Sequence, residues 1–338
     1  MLIANQREEK DSGMKVAVTD SGFADLQVER DVLAGLDVEF TAAQCTTEEE
    51  LIDQLSEMDY LISQYAPITA RVIDKFDRCR VISRYGVGVD NIDLDAAAAA
   101  GIAVCNVPDY CIDEVADHAL ALLLDLTRRI FPAALDVRAG GWKFPAADVS
   151  EVKVLKELTV GLFGCGRIGN AVAKRLMGFG CRVLAYDPYV DDDQLNSSGV
   201  QATGQEELLA ESDVVSLHCP SNAETRGIVN AEMFGKMKPG SLLVNVSRGD
   251  IVVTEDLIQV IQSGHLAGAG LDVTSPEPLP AGHPLAALEN VVITPHFAAA
   301  SKKAIFELRR RTAGAIAAAI RGEKLANIVN GVDGPRQL

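Results

Sequence analysis

Residues 159–187, TVGLFGCGRIGNAVAKRLMGFGCRVLAYD, contain in order an apolar strand, a glycine-rich turn, an amphipathic helix and a second strand. The turn is Gly164-Cys165-Gly166-Arg167-Ile168-Gly169, and the second strand ends in Asp187. A G-x-G-x-x-G sequence alone is weak evidence, but the strand before it, the helix after it and the later acid are the context that this motif requires. The stretch therefore predicts a βαβ unit that binds a dinucleotide.

The three glycines and Asp187 have distinct predicted roles. Gly164 allows the tight turn, Gly166 lets the backbone approach a pyrophosphate, and Gly169 lets the helix pack closely on the strand. The helix N-terminus supplies amide N–H groups to the phosphates. Asp187 is expected to accept hydrogen bonds from ribose hydroxyls and to repel the extra phosphate of NADP. NAD is therefore the expected cofactor.

Short apolar runs alternate with amphipathic stretches on both sides of this unit, which favours a parallel sheet built from right-handed βαβ units. The first series of predicted strands is 15–20, 59–63, 81–84 and 102–105, with helices at about 22–34, 47–56 and 69–77. The second series is 158–163, 182–186, 213–218, 241–246, 267–273 and 291–294. Two series predict two α/β domains, joined by a buried helix that begins near Asp113 and ends at Arg129, with Asp109 or Asp113 as its cap.

Composition narrows the classes of function. The chain has 338 residues and a formal net charge of −17, with 48% apolar residues. Such a charge repels nucleic acid and anionic lipid, so we expect neither as a partner. Seven cysteines without a Cys-x-x-Cys pair indicate no metal site and favour a reducing compartment, hence a cytoplasmic location. Residues 1–13 contain no signal-peptide core and are expected to be a loose extension.

A basic residue, an acidic residue and a histidine follow three strands of the second series. Arg248 follows SLLVN, Glu277 lies between two prolines after the next strand, and His296 ends the last strand. Carboxyl ends of parallel strands meet at one edge of a sheet, where ligands bind. An arginine there can hold a carboxylate, and an imidazolium can protonate a carbonyl oxygen while a glutamate orients its ring. The set suits reduction of a 2-oxo acid by hydride from a nicotinamide.

The chain resembles the D-isomer-specific 2-hydroxyacid dehydrogenases, the family of phosphoglycerate dehydrogenase, D-lactate dehydrogenase, formate dehydrogenase and hydroxypyruvate/glyoxylate reductase. The resemblance runs from about residue 14 to residue 331. It rests on these stretches: RYGVGVDNID (84–93), NVP (106–108), EVADHALALLL (114–124), GLFGCGRIGN (161–170), AYDP (185–188), SLHCPSNAETRGIVN (216–230), KMKPGSLLVNVSRGDIVV (236–253), AGLDVTSPEPL (269–279) and NVVITPH (290–296).

The resemblance implies a Rossmann NAD-binding domain, residues 113–303, inserted into a flavodoxin-like substrate domain, residues 1–112 and 304–338. It also implies a homodimer. The catalytic residues it implies are Arg248, Glu277 and His296, and the substrate-binding residues are Tyr85, Gly86, Val87, Gly88, Arg248 and His296. The implied cofactor contacts are Gly164, Gly166, Arg167, Ile168, Gly169, Asp187, Cys219, Thr225, Val246, Ser247, Arg248, Asp272, His296 and Ala299.

Departures from the family bear on the substrate. Many phosphoglycerate enzymes have two arginines where this chain has Arg84 and the neutral Gln64, so a small 2-oxo acid such as hydroxypyruvate or glyoxylate is favoured over a phosphorylated one. D-3-phosphoglycerate stays as the alternative substrate. A second alternative is an NAD-sensing binding protein like the C-terminal-binding-protein corepressors, which share this fold and the same trio. Glu277 speaks against formate dehydrogenase, which has a glutamine there.

Overall fold

The computed structural model describes residues 13–142 and 152–337. The chain divides into two compact units, Met1–Tyr110 with Lys302–Leu338 and Cys111–Ser301. The predicted N-terminal extension, apart from Gly13, lies outside the described residues.

The described part of the first unit contains a five-stranded sheet in the order β2-β1-β3-β4-β5. Every pairing between these strands is parallel. The strands are β1 (Met14–Val18), β2 (Val38–Ala42), β3 (Tyr60–Ser63), β4 (Val81–Arg84) and β5 (Ala103–Cys105). This order is the doubly wound arrangement found in flavodoxin. The sequence analysis missed β2, an edge strand whose residues are all partly or fully exposed.

Helices α1 (Gln27–Leu33), α2 (Glu48–Leu55), α3 (Ala70–Ile73) and α4 (Leu94–Ala99) connect these strands. The helix expected at 22–34 begins only at Gln27, because the Asp25 carboxylate accepts a hydrogen bond from the Gln27 N–H and holds a turn before it. The helix expected at 69–77 ends at Ile73 and gives way to turns that bury Phe76.

The described part of the second unit contains a seven-stranded parallel sheet in the order β12-β11-β10-β9-β6-β7-β8. Its strands are β6 (Thr159–Phe163), β7 (Arg182–Tyr186), β8 (Gln201–Ala202), β9 (Val214–Leu217), β10 (Ser241–Asn245), β11 (Leu266–Leu271) and β12 (Val291–Ile293). Strand order reverses between β6 and β9, and open α/β sheets bind ligands at such a point. The glycine turn follows β6. The prediction of two doubly wound parallel-sheet domains is confirmed; β8, a two-residue edge strand, was missed.

The helices of this unit are α5 (Ile112–Arg128), α6 (Ile130–Arg138), α7 (Arg167–Gly178), α8 (Asp192–Ser197), α9 (Gln205–Glu211), α10 (Ala231–Lys236) and α11 (Thr254–Gln262). The predicted caps of α5 were wrong: its N-cap is Cys111, without a side-chain hydrogen bond. Asp113 instead pairs with Arg175 of α7 at 3.0 Å, so a tertiary ion pair takes the carboxylate that the local pattern assigned to capping. Arg128 does lie in the last turn, as the helix dipole favours.

The last helix, α12 (Lys302–Ile320), belongs to the first unit and packs against α1 and β4. Its Arg309 forms a two-pronged ion pair with Glu29 of α1, at 2.8 and 2.7 Å, and the Glu29 side chain is completely buried. Among the helices of the described chain, none has both the length and the hydropathy that a membrane crossing requires.

Candidate active site

The glycine turn between β6 and α7 needs glycine for different reasons at its three positions. Gly164 has φ +94°, in the left-handed region, and a Cβ there would lie 2.8 Å from the Cys219 nitrogen. A Cβ on Gly169 would lie 2.5 Å from the Gly164 oxygen, so the helix packs tightly on the turn. Beside Gly166 the space is open to at least 4 Å. The turn thus leaves room for a diphosphate at the N-terminus of α7, as a bound NAD requires.

The Asp187 carboxylate lies at the end of β7, beside the glycine turn. Its Oδ2 accepts the Cys165 N–H at 2.7 Å and its Oδ1 accepts the Tyr189 N–H at 2.9 Å. These bonds fix the carboxylate while each oxygen keeps a lone pair for a ribose hydroxyl. The Tyr189 hydroxyl donates to Glu224 at 3.0 Å, which brings a second acid to this end of the sheet. This contact joins side chains 35 residues apart and was not predicted from the sequence.

The structure brings Glu277 and His296 together. Nδ1 of His296 lies 2.6 Å from Oε1 of Glu277, and the Thr274 N–H points to Oε2 of the same carboxylate at 3.4 Å. Partial burial acts to raise the pKa of the Glu277 carboxyl, but the hydrogen bond from His296 and the charges of His296 and Arg248 hold this pKa below its ordinary value. Glu277 is therefore a carboxylate at neutral pH, and it leaves Nε2 of His296 for a reacting atom.

Arg248 projects from a turn that Asn245 closes at the end of β10. The Asn245 amide donates to the Arg248 carbonyl at 2.8 Å and accepts the Ser247 N–H at 3.0 Å. Next in sequence, Gly249 is required because a Cβ there would overlap the Thr274 carbonyl at 2.0 Å. This turn thus lies against the segment that leads to Glu277, which explains how the charge of Arg248 acts on that carboxyl.

Asp272, for which the family resemblance implies a cofactor contact, also holds the turn that contains His296. Its side chain is 99% buried and accepts three hydrogen bonds, from the Thr294 hydroxyl at 2.5 Å and from the Phe297 and Ala298 N–H groups at 2.8 Å each. Its carbonyl accepts the His296 N–H at 2.8 Å. The 294–298 turn therefore wraps around Asp272.

Other predicted cofactor residues also lie at the carboxyl edge of this sheet. Cys219 follows β9, and burial raises the pKa of its thiol to about 11, so it is uncharged at neutral pH. The Thr225 hydroxyl donates to the Pro220 carbonyl at 2.6 Å and closes the turn after this strand. Within the described residues, no group of three or more His, Cys, Asp or Glu side chains is arranged to hold a metal ion.

The predicted substrate loop, residues 85–88, lies in the first unit after β4. Gly86 has φ +141°, which favours glycine. The Tyr85 hydroxyl donates to Glu29 at 2.9 Å and its ring is 98% buried, so this side chain supports the loop rather than facing a ligand. Among the described residues, no acceptor takes the N–H of Val87 or Gly88. Two such amides in succession can bind an anion.

Comparison with known proteins identifies the family. Residues 120–298 match the family described as "D-isomer specific 2-hydroxyacid dehydrogenase, NAD binding domain". The chain belongs to the D-isomer-specific 2-hydroxyacid dehydrogenases. The predictions of this family of NAD-dependent oxidoreductases and of an NAD-binding domain are thus confirmed.

Individual members of the family are similar over most of this chain. This chain is 40% identical to a glyoxylate reductase of Korarchaeum cryptofilum, over 83% of this chain and 85% of that protein. It is 38% identical to a D-3-phosphoglycerate dehydrogenase of Mycobacterium leprae over 84% of this chain, but spans only about half of that longer relative, 53%. A D-lactate dehydrogenase of Aquifex aeolicus, solved with NAD and lactic acid, superposes with a TM-score of 0.83 at 31% identity, covering 91% of this chain and 96% of that one.

Proposed function

We propose that this chain is an NAD-dependent D-2-hydroxyacid dehydrogenase that acts on a small 2-hydroxy or 2-oxo acid. Hydroxypyruvate and glyoxylate are the favoured 2-oxo acids. The observation that carries the proposal is the 2.6 Å hydrogen bond between His296 and Glu277, at a sheet edge that also presents Arg248. A cation for a carboxylate and a histidine paired with a carboxylate are the groups that carbonyl reduction needs.

In this reaction the cofactor supplies or accepts the hydride. Arg248 binds the substrate carboxylate and polarises the carbonyl group. His296, as an imidazolium, donates a proton from Nε2 to the carbonyl oxygen in reduction and takes it back in oxidation. Glu277 holds Nδ1 and favours the charged ring. As the family resemblance implies, we also propose the loop of Tyr85, Gly86, Val87 and Gly88 in the first unit as a substrate-binding element, since its backbone N–H groups suit an anion.

For the cofactor, we propose that Gly164, Gly166, Arg167, Ile168 and Gly169 hold the pyrophosphate and Asp187 the ribose. The further contacts in this proposal are Cys219, Thr225, Val246, Ser247, Asp272 and Ala299. On this assignment residues 113–303 are the NAD-binding domain, and residues 1–112 with 304–338 are the substrate domain.

The choice of substrate rests on one position and one relative. Gln64 is neutral and its Oε1 accepts the Gly22 N–H at 2.8 Å, so this side chain brings no charge for a phosphate. A relative that this chain covers to 85% of its length is named a glyoxylate reductase. Arg84 and the 38% identity with the mycobacterial enzyme support D-3-phosphoglycerate as the second candidate.

The deciding experiment follows NADH oxidation with a panel of 2-oxo acids that includes hydroxypyruvate, glyoxylate and pyruvate, and NAD reduction with D-3-phosphoglycerate. We expect the largest kcat/KM with hydroxypyruvate or glyoxylate, and a loss of about 10²–10⁴ in kcat for His296→Ala, the usual contribution of general acid catalysis. A larger value with D-3-phosphoglycerate would favour the second candidate. Tight NADH binding without turnover of any acid would favour a corepressor-like binding protein.

We also propose a homodimer and a cytoplasmic location. Every residue of α6 is at least partly exposed, and Ile130, Phe131, Leu135 and Val137 add four large apolar side chains to this surface. Such a patch favours burial against a second copy. Light scattering should give about twice 36.0 kDa, and Leu135→Asp should lower that mass. The cytoplasmic location is supported by the cysteine usage.

A further inference from the structure

Helix α5 contacts the segment that carries His296 at two points. Nε2 of His118 lies 2.8 Å from the Thr294 hydroxyl oxygen, and Glu114 accepts a hydrogen bond from the Ser301 hydroxyl at 2.7 Å. His118 and Glu114 are four residues apart and so lie on the same face of the helix. Thr294 and Ser301 lie on either side of His296 in the sequence, so α5 holds the segment both before and after it.

The donor and the acceptor of the His118–Thr294 hydrogen bond follow from the chemistry of the Thr294 hydroxyl. Thr294 has one hydroxyl hydrogen, which it donates to the Asp272 carboxylate at 2.5 Å. It must therefore accept from His118, whose ring carries a hydrogen on Nε2. The same carboxylate accepts the Phe297 N–H at 2.8 Å. A continuous series of hydrogen bonds thus runs from α5 through Thr294 and Asp272 to the turn around His296, and Nε2 of His118 also lies 3.4 Å from Oδ1 of Asp272 itself.

This turn needs such support because of the backbone of His296. Its φ is +52°, in the left-handed region that side-chain-bearing residues rarely adopt. The conformation directs the ring to Glu277, at 2.6 Å. If the hydrogen bonds to Asp272 weaken, the turn can relax to a conformation that carries the ring away from its partner.

We propose that His118 is a positioning residue for His296. As an Nε2–H donor it fixes the Thr294 hydroxyl on Asp272, and Asp272 fixes the left-handed turn. The Glu114–Ser301 hydrogen bond holds the other end of the segment. This inference rests on the proposed function, since His296 is the proton donor only in that reaction.

The test compares His118→Gln, whose amide N–H can replace the Nε2–H, with His118→Leu, which has no donor. We expect His118→Leu to lower kcat by about 10–100-fold, the cost of a displacement of about 1 Å at a reacting group. The KM for NADH should change less than kcat, since His118 itself is not among the proposed cofactor contacts. His118→Gln should keep most of kcat. Equal losses in the two variants would overturn the donor role, and unchanged kcat in both would overturn the proposal.

A matched control is His265→Leu. His265 also hydrogen-bonds through Nε2, to the Phe234 carbonyl at 2.9 Å, but it precedes β11 at the edge of the sheet opposite to Asp272. This variant should keep the kcat of the natural protein. If His118→Leu fails to fold, the pair Thr294→Ser and Thr294→Val replaces it: serine should keep kcat and valine should lose it. The opposite result would overturn the proposal.

Histidine-selective ¹⁵N NMR gives a readout that does not need turnover, because the chain has only five histidines. In the natural protein we expect His118 with a hydrogen on Nε2 and a strongly deshielded Nδ1–H signal from His296 bonded to Glu277. His118→Leu should weaken that signal, whereas His265→Leu should not. If no 2-oxo acid is turned over, the proposed function fails while this signal still decides the positioning role; an unchanged His296 signal in His118→Leu overturns it.

Discussion

Replacing Glu277 by glutamine tests the proton donor directly, because it keeps the shape of the side chain and removes its charge. The His296–Glu277 pair is 2.6 Å apart, and each side chain is 41% exposed. Two unit charges about 4 Å apart attract by about 1 kcal/mol in water and about 4 kcal/mol near a protein surface. Solvent screening of a pair this exposed brings the expected value to about 1 kcal/mol. This is the attraction that Glu277→Gln removes.

The direction of the change follows from the proton that each reaction needs. Reduction requires the imidazolium, so its rate falls as the pH rises; oxidation requires the neutral ring, so its rate rises over the same interval. The pKa of Glu277 lies below its ordinary value, so its charge acts throughout neutral pH and is lost only as the pH falls through that lowered pKa. Glu277→Gln should therefore move both limbs of the pH–rate profile to lower pH, because the amide carries no charge to favour the imidazolium.

The assay measures initial rates from the nicotinamide absorbance at saturating substrate, in both directions, from mildly acid to alkaline pH. The NADH dissociation constant should stay nearly unchanged, which separates proton transfer from cofactor binding. A suitable control is Glu232→Gln, the same substitution at an exposed carboxylate of α10 that pairs with Lys236. If the pH dependence of the reduction rate is unchanged in Glu277→Gln, the His296–Glu277 pair does not carry the proton and another donor must be sought.

Three further predictions concern the cofactor and stability. The natural protein should prefer NAD(H) over NADP(H) by about tenfold or more in kcat/KM, equivalent to about 1.4 kcal/mol. Asp187→Ser should narrow this preference. Equal kcat/KM with both cofactors in the natural protein would contradict the role of Asp187. Glu29→Gln removes the buried anion of Arg309 and leaves its guanidinium only the exposed Asp25 carboxylate, at 3.2 Å. Chemical denaturation should therefore show a loss of about 3 kcal/mol in the free energy of unfolding, the low end for a broken buried ion pair. Burial lowers the pKa of His218 from 6.5 to about 4. Since the unfolded chain takes up this proton first, stability should fall as the pH drops through that interval, and His218→Asn should reduce the slope.

The features that the sequence determined are those with a local signal. The glycine turn follows from residues that are close in the chain, since Gly164 needs φ +94° and Gly169 lies against the Gly164 carbonyl. Central strands such as β10 are buried at every residue and therefore appear as continuous apolar runs. The edge strands β2 and β8 are partly or fully exposed and lack such a run, so they were not predicted from the sequence, whereas the edge strands β5 and β12 are apolar and were.

Only the tertiary structure decided the features that depend on partners far along the chain. The Tyr85 hydroxyl binds Glu29, 56 residues earlier, a contact that no local pattern predicts. Asp113 was expected to cap α5, but it pairs with Arg175, 62 residues later. His118 has no local signal at all: its partner Thr294 is 176 residues away, and only the packing of α5 against strands β10 and β11 of the sheet brings the two together. Local patterns fix the strands and turns, whereas the partner of a polar side chain is fixed by which elements pack together.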